Sequence, residues 1–399
     1  MESASRQSAL RDFLGLRRNV VLLLAAVILT GAGEELWMRF VPKYLEALGA
    51  GALIIALYDG LKTALAALYA YPGGVISDRW GHRRSLIGFT AVSIAGYAIM
   101  LAWPTWEAAL AAMFLIVAWS NLSLPAMFTL VATDLGPRKL VMGIGVQSLI
   151  KRLPIIVGPV AGGLLLDAYG VVSGVRIGLG VSIALGLLSM ILESRIRDAA
   201  GAARHSTPGF RAVVGSFSPA LRRLLLSDIL IRFCERIPAA WIVIYAMDQL
   251  HATGAQIGLL TALEMAIAIA CYIPVAHRAD RGDKAPFVMV TFIFFTLFPV
   301  ALALSGSILM LAVAFAIRGM KEFGDPSRKA LIVSYARADA RGATVGAYYL
   351  IRDLTVSLGA IVGGLLWTIS PAANFWTAAA VGVAGSLYYW RSTHTAAER

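Results

Sequence analysis

Arg17-Arg18-Asn-Val20-Val-Leu-Leu-Leu-Ala-Ala-Val-Ile-Leu-Thr30-Gly-Ala-Gly-Glu34-Glu35-Leu-Trp37-Met-Arg39-Phe40 is the stretch on which the fold turns. A basic pair precedes an apolar run, the opening of a signal peptide or of a membrane span. The run passes into Glu34, Glu35, Trp37 and Phe40 with no small-residue cleavage site, which favours a span over a removable leader. This span carries ionisable side chains inside it.

The rest of the 399 residues points the same way: 59% are hydrophobic, 15% are charged, and the mean hydropathy is +0.75. Soluble domains hold roughly 45–50% apolar and about 25% charged residues, and large soluble chains split into domains rather than becoming this apolar. About 20 mostly apolar residues cross the hydrocarbon. Twelve such stretches are legible, at about 19–42, 53–76, 85–103, 106–133, 139–167, 172–193, 220–248, 255–277, 286–305, 307–334, 343–369 and 372–391.

The formal charge of +12 does not mark a nucleic-acid partner, because the basic residues sit in links between the apolar runs. Arg6, Arg11, Arg17 and Arg18 precede span 1. Arg79, Arg83 and Arg84 follow span 2, and Arg138 and Lys139 follow span 4. Arg195, Arg197, Arg204 and Arg211 lie in the central linker, and Arg278 and Arg281 follow span 8. Lys43 stands nearly alone on the opposite side. The positive-inside rule then places both termini in the cytoplasm, with the cell (inner or plasma) membrane as the expected location. Cys234 and Cys271 sit in apolar runs without metal spacing, and five scattered histidines form no ligand pattern, so neither metal nor cofactor is expected.

The polar stretch 194–219 divides the chain into a bundle at 1–193 and a second at 220–399, and the two halves repeat. An offset of 201 takes Glu34 to Glu235, Tyr44 to Tyr245, Pro125 to Pro326, Gly145 to Gly346, Lys151 to Arg352, and Gly162-Gly163 to Gly363-Gly364. Parallel six-span repeats are a transporter architecture. The expected fold is all-α: twelve transmembrane helices in two pseudo-symmetric six-helix bundles.

Two motifs carry a family resemblance. Between spans 2 and 3 the chain reads Gly74-Val-Ile-Ser-Asp78-Arg79-Trp-Gly81-His82-Arg83-Arg84, and span 5 carries Gly145, Pro154, Gly158-Pro159 and Gly162-Gly163. The first resembles the signature loop of the major facilitator superfamily, with His82 in place of a basic residue. The second is similar to that family's antiporter motif, with Pro154 where glycine is usual. The resemblance implies that Asp78 holds a cytoplasmic gate by docking at a helix N-terminus, where orphan N–H groups favour a carboxylate. It also implies proton-coupled efflux by alternating access. An arginine common midway along span 4 of the family's drug exporters is missing, and that stretch reads Ala118-Trp-Ser120-Asn121.

Ionisable residues inside spans cost at least about 2.5–3.5 kcal/mol each and are functional candidates by default. Glu34, Glu35 and Arg39 lie in span 1, Asp59 and Lys62 in span 2, Lys151 and Arg152 in span 5. Asp228, Arg232, Glu235 and Arg236 lie in span 7, Glu264 in span 8, Arg318, Lys321, Glu322 and Asp325 in span 10, and Arg352 and Asp353 in span 11. Most are expected to line a polar cavity. Spacing of three or four allows Glu35–Arg39, Asp59–Lys62, Asp228–Arg232, Arg318–Glu322 and Lys321–Asp325 to meet on one helix face. Glu264 has no basic neighbour at helical spacing and is the first candidate proton carrier, followed by Glu35, Asp59 and Glu34. Arg39, Asn121, Lys151, Arg152, Asp228, Arg232, Glu235, Arg318, Glu322, Arg352 and Asp353 are candidates for the substrate cavity. No nucleophile–base set, phosphate loop or metal cluster points to an enzyme. The expected partners are the bilayer, a small polar or charged solute or drug, and protons, with the monomer as the working unit. A facilitative or proton-symport importer and a lipid transporter are the alternatives.

Overall fold

The computed structural model describes residues 18–135, 152–197, 210–279, 284–336 and 341–397; Gly145, Lys151 and the side chain of Asp78 lie outside the described residues. The described chain is helical, with no strand. In order come α1 (Arg18–Glu35), a 3-10 turn (Met38–Phe40), α2 (Val41–Ala47), α3 (Ala52–Trp80), α4 (His82–Ala102), α5 (Trp106–Leu135), α6 (Arg152–Tyr169) and α7 (Val171–Glu193). After the linker follow α8 (Phe210–Gly215), α9 (Pro219–Arg236), α10 (Trp241–Asp248), α11 (Gly254–Ala279), α12 (Ala285–Ala303), α13 (Ile308–Met320), α14 (Asp325–Tyr335), α15 (Arg341–Ile369) and α16 (Pro371–Ala397).

Within the described residues, each of the twelve sequence spans coincides with one helix or with a pair of helices. Spans 1, 7 and 10 are pairs: α1 with α2, α9 with α10, α13 with α14. Among the described residues, nine helical stretches are long and apolar enough to cross a membrane, and spans 7, 10 and 12 are not among them. Spans 7 and 10 fall short because both carry several charged residues.

The breaks have local causes. In span 7, Pro238 supplies no N–H to continue the α-helical ladder. In span 10, Lys321, Glu322 and Phe323 donate to carbonyls three residues back, at 3.3, 3.4 and 3.0 Å, so the helix tightens and stops. Gly324 then donates its N–H to Thr291 Oγ1 at 2.5 Å, and Pro326 opens α14. In span 1, Leu36 and Trp37 likewise donate to Gly33 and Glu34, three residues back.

The chain forms two compact units, residues 1–49 with 68–204, and residues 50–67 with 205–399. Helix α3 therefore contributes its first half to the second unit and its remainder to the first. In the first unit α6 packs on the span 1 break through glycines: a Cβ at Gly158 would overlap Glu35, and one at Gly162 would overlap the Leu36 carbonyl. In the second unit a Cβ at Gly359 would press on Arg236, and one at Gly363 would overlap the Ile237 carbonyl. These are the same contacts displaced by 201 residues. Absence of a side chain lets the two backbones meet.

Gly81, in the signature loop, has φ +82°, a conformation that residues with a Cβ rarely adopt, and it turns the chain from α3 into α4. Beside it His82 is buried, its Nδ1 2.7 Å from Ser77 Oγ. Arg79, Arg83 and Arg84 are exposed. Large apolar side chains such as Leu309 and Val157 face outward at 78% and 65% exposure. The solvent that suits such a surface is hydrocarbon, and the protein is an integral membrane protein.

Candidate functional site

The second unit holds the densest chemistry. Arg318 Nε lies 3.3 Å from Glu264, whose same oxygen is 3.5 Å from Lys321 Nζ. Lys321 also donates to Glu235 at 2.5 Å, and Glu235 accepts from Arg232 at 3.0 Å. Arg232 reaches Asp325 at 3.6 Å, and Asp325 accepts from Arg328. Arg328 contacts Asp228 at 2.6 Å, Arg352 contacts Asp228 at 3.4 Å, and Arg352 donates to Asp353 at 2.7 Å. Ten side chains from α9, α11, α13, α14, α15 and the span 10 break thus alternate in sign along one unbroken series. Tyr348 adds a hydroxyl to Asp228 at 3.0 Å.

Several features hold this series in place. Gly319 lets α13 lie directly on the backbone of α11 at Glu264. The break after Met320 swings Lys321 toward Glu235 and starts α14 at Asp325, inside the cluster. Phe295 lies under Arg232 (4.8 Å) and Lys321 (5.7 Å), Phe298 under Arg318 (5.1 Å), and Tyr349 under Arg352 (4.5 Å). Ring faces attract the cations where water is scarce. Asp228 Oδ1, Arg232 Nε, Arg318 Nη1 and Arg328 Nε remain buried without a hydrogen-bond partner. A buried array left short of partners is expensive, so it is poorly accounted for by stability alone.

Next to the series is a cavity of about 320 Å³ lined by Lys62, Thr63, Ala66, Arg232, Glu235, Arg236, Arg352, Asp353 and Val356. On its wall Arg236 Nη1 contacts both oxygens of Asp59, at 3.1 and 3.0 Å. Arg236 is the last residue of α9, so the span 7 break borders the cavity. Broken helices mark binding sites in transporters of this architecture.

In the first unit two buried carboxylates accept from hydroxyl and indole groups. Glu34, buried at the end of α1, accepts from Tyr97 Oη at 2.6 Å, and Tyr97 packs edge-on against Trp37 at 5.8 Å. Trp37 Nε1 donates to Ser182 Oγ at 2.9 Å. Glu193, fully buried at the end of α7, accepts from Thr90 (2.9 Å), Trp119 Nε1 (3.3 Å) and Ser189 (3.2 Å), and among the described residues it has no ion pair. Asn121 donates to Val117 O in its own helix, and Glu35, Arg39 and Arg152 are half-buried.

The sequence candidates divide accordingly. Asp59, Asp228, Arg232, Glu235, Glu264, Arg318, Arg352 and Asp353 come together in the second unit, and Glu322 is half-buried beside Lys321. Two expectations are corrected. Glu264 does meet cations: Arg318 and Lys321 reach it from another helix, where spacing along its own span cannot see them. Lys321 and Asp325 do not share a helix face, because the helix ends between them; Lys321 bonds Glu235 and Glu264, Asp325 bonds Arg328. Sequence reasoning left Lys62, Arg236, Lys321, Asp325 and Arg328 out of the cavity set, and Glu193 was passed over as a span end. The three-residue spacing of Asp325 and Arg328 behind Pro326 was a usable signal. Among the described residues no cluster of three or more His, Cys, Asp or Glu could hold a metal.

Known proteins agree with this architecture. The model described as Major Facilitator Superfamily matches residues 22–234 and 224–399. The chain is 30% identical to the multidrug resistance protein MdtG of Rahnella sp. (strain Y9602) over 186 residues, 43% of this chain and 42% of that one. It is 30% identical to MdtG of Escherichia fergusonii over 174 residues, 40% of each chain. The matched segment thus spans about two fifths of the length of these curated relatives. A crystal structure of a mutant of the nucleoside transporter NupG superposes with a TM-score of 0.78 at 13% identity, over 94% of this chain and 99% of that one. A POT family transporter in complex with a thioalcohol-conjugated peptide gives 0.78 at 13%, over 95% and 96%.

Proposed function

The chain belongs to the Major Facilitator Superfamily, and on that premise we propose that it exports a small polar or charged solute or drug in exchange for protons, by alternating access. The observation that carries this reading is the charge-lined cavity bordered by the break in span 7. A cavity of this kind inside a membrane helix bundle suits a bound solute that must shed water. The similarity to multidrug resistance proteins, over two fifths of the chain, and the glycine motif of α6 favour export over import.

The first unit supplies the proposed proton carriers. Glu34 and Glu35 end α1 at its break, and Glu35 lies against Gly158 of the antiporter motif. Glu264, set between Arg318 and Lys321, serves the series as a paired member, so it passes from first candidate carrier to scaffold. Asp59, held by Arg236, follows it. Asp78 and the arginines of the signature loop serve the cytoplasmic gate, with both termini in the cytoplasm of the cell membrane and the monomer as the working unit.

The test uses inside-out vesicles containing the full chain, an imposed pH gradient, and a panel of fluorescent drugs and small solutes. Uphill accumulation that collapses with the gradient and is lost in Glu35→Gln supports proton-coupled export. Asp78→Asn is expected to cut transport at least tenfold while protein levels hold. Equal rates in both directions without a gradient would make the protein a facilitator instead.

A further inference from the structure

Most of the charged lining of the cavity is already committed. Glu235 accepts at one oxygen from Lys321 and at the other from Arg232. Arg232 spends its two outer nitrogens on Glu235 and Asp325, its Nε is sealed from solvent, and Lys62 is engaged as well. Three lining residues keep capacity. Arg236 spends only Nη1, on Asp59, so its Nε and Nη2 have no partner among the described residues. Arg352 spends Nε on Asp353 and Nη1 on Asp228, leaving Nη2. Asp353 accepts through Oδ1 alone, leaving Oδ2. None of these four atoms is among the buried polar atoms that lack a partner, so each is accessible, on a residue that lines the cavity.

The wall thus holds unspent groups of both signs. The free Nε and Nη2 of Arg236 form one edge of its guanidinium, whose parallel N–H groups match the two oxygens of a carboxylate. Asp353 Oδ2 is an acceptor for an ammonium. A plain acid would satisfy the guanidinium edge and leave Asp353 Oδ2 against its apolar body; a plain amine would do the converse. A polar group desolvated without a partner is penalised. Each of those guests also carries a net charge into the interior of a span, where charge is costly, and a guest bearing both groups carries none. Ala66 and Val356 give the same space an apolar side, and its volume of about 320 Å³ is at the small end of ligand pockets, which run from roughly 300 to 1,000 Å³.

From this lining we infer that the cavity binds a small zwitterion, its carboxylate on Arg236 and Arg352, its ammonium on Asp353 Oδ2 and its short apolar body against Ala66 and Val356. This rests on the transport reading and narrows its substrate class. The guest bonds Arg236, at the end of α9, and Asp353, on α15, so loading ties the span 7 break to the helix that already meets it at Gly359.

The experiment measures binding to the purified full-length protein at neutral pH. The probes are 4-aminobutyrate and 6-aminohexanoate, with hexanoate, hexylamine and hexanamide as single-group controls. The better of the two amino acids is expected to bind at least tenfold more tightly than any control. Asp353→Asn, which keeps an acceptor for Arg352, is expected to erase the margin over hexanoate. Arg236→Gln should erase the margin over hexylamine. The probe series on the parent protein stands even if that second variant fails to fold. Hexanoate or hexylamine binding as tightly as the better amino acid overturns the inference, as does a folded protein that binds neither amino acid. Uphill export of a singly charged drug by a protein with no margin for the amino acids would leave the exporter reading standing and remove this one. Tight amino-acid binding without proton-linked movement in vesicles would do the reverse.

Discussion

The two halves share a skeleton and differ in how they treat buried charge. Gly158 and Gly162 press on Glu35 and Leu36 in the first unit; Gly359 and Gly363 press on Arg236 and Ile237 in the second, each pair 201 residues from its counterpart. At equivalent places one repeat puts a glutamate and the other an arginine. Around them, the first unit meets Glu193 with hydroxyl and indole donors, and the second meets six carboxylates with guanidinium and ammonium groups. Duplicated packing has been kept while electrostatics has diverged. A neutral-donor pocket suits a carboxyl that exchanges a proton, and an ion-pair array suits fixed charge around a charged guest.

Substitutions can break that contrast, beginning with the largest effect. Arg328→Leu removes the cation shared by Asp228 and Asp325, all three nearly inaccessible, and leaves Asp228 with Arg352 and Asp325 with Arg232 and Lys329. A loss of roughly 3–5 kcal/mol is expected for breaking such a buried pair, read as a sharp fall in melting temperature and in monodisperse yield. Parental stability would mean that the array is already hydrated. Second, Gly162→Leu and Gly363→Leu test the shared skeleton. Each forces a side chain onto a backbone carbonyl and should cost about 1–3 kcal/mol or more, with impaired assembly or transport in both, whereas Val157→Leu on the outward face is silent. A large effect in one repeat only would deny the equivalence.

The smallest effect falls in the first unit. Glu193→Gln keeps an acceptor for Thr90, Ser189 and Trp119 and strands no ion, so stability should move by less than about 1 kcal/mol. Thermal unfolding of this variant beside Arg328→Leu sharpens the comparison directly. If Glu193→Gln costs as much, Glu193 has a cation contact of its own.

Much of the fold was legible because span length and the positions of Lys and Arg are set by the bilayer, which acts on every residue of a span alike. The 201-residue offset was legible for the same reason: glycines at a backbone contact tolerate little else. The three breaks were less so. Pro238 and Pro326 announce two of them in hindsight, but the same residues bend helices without breaking them, and the span 1 break depends on tight turns before Met38. The partners of Glu264 could not be read at all. They belong to α13 and the turn after it, and periodicity reports neighbours on one helix while saying nothing across helices. Glu193 escaped because a glutamate followed closely by Arg195 and Arg197 looks like the start of a loop, and only its burial against Thr90 and Trp119 marks it out.

The distance along the chain between partners bears on how the protein is made. Span 7 emerges from the ribosome carrying Asp228, Arg232, Glu235 and Arg236, broken at Pro238 and too polar to enter lipid by itself. Arg328 lies 100 residues further on, and Arg352 lies 124 residues beyond Asp228. Arg232 and Glu235 pair within span 7 and Arg236 pairs with Asp59 of span 2, so Asp228, at roughly 2.5–3.5 kcal/mol for an unpaired charge at a helix centre, is the one that waits for spans 10 and 11. Span 7 therefore acquires its last partner only late in synthesis, and a chain cut before span 10 should hold span 7 less firmly than the full chain does.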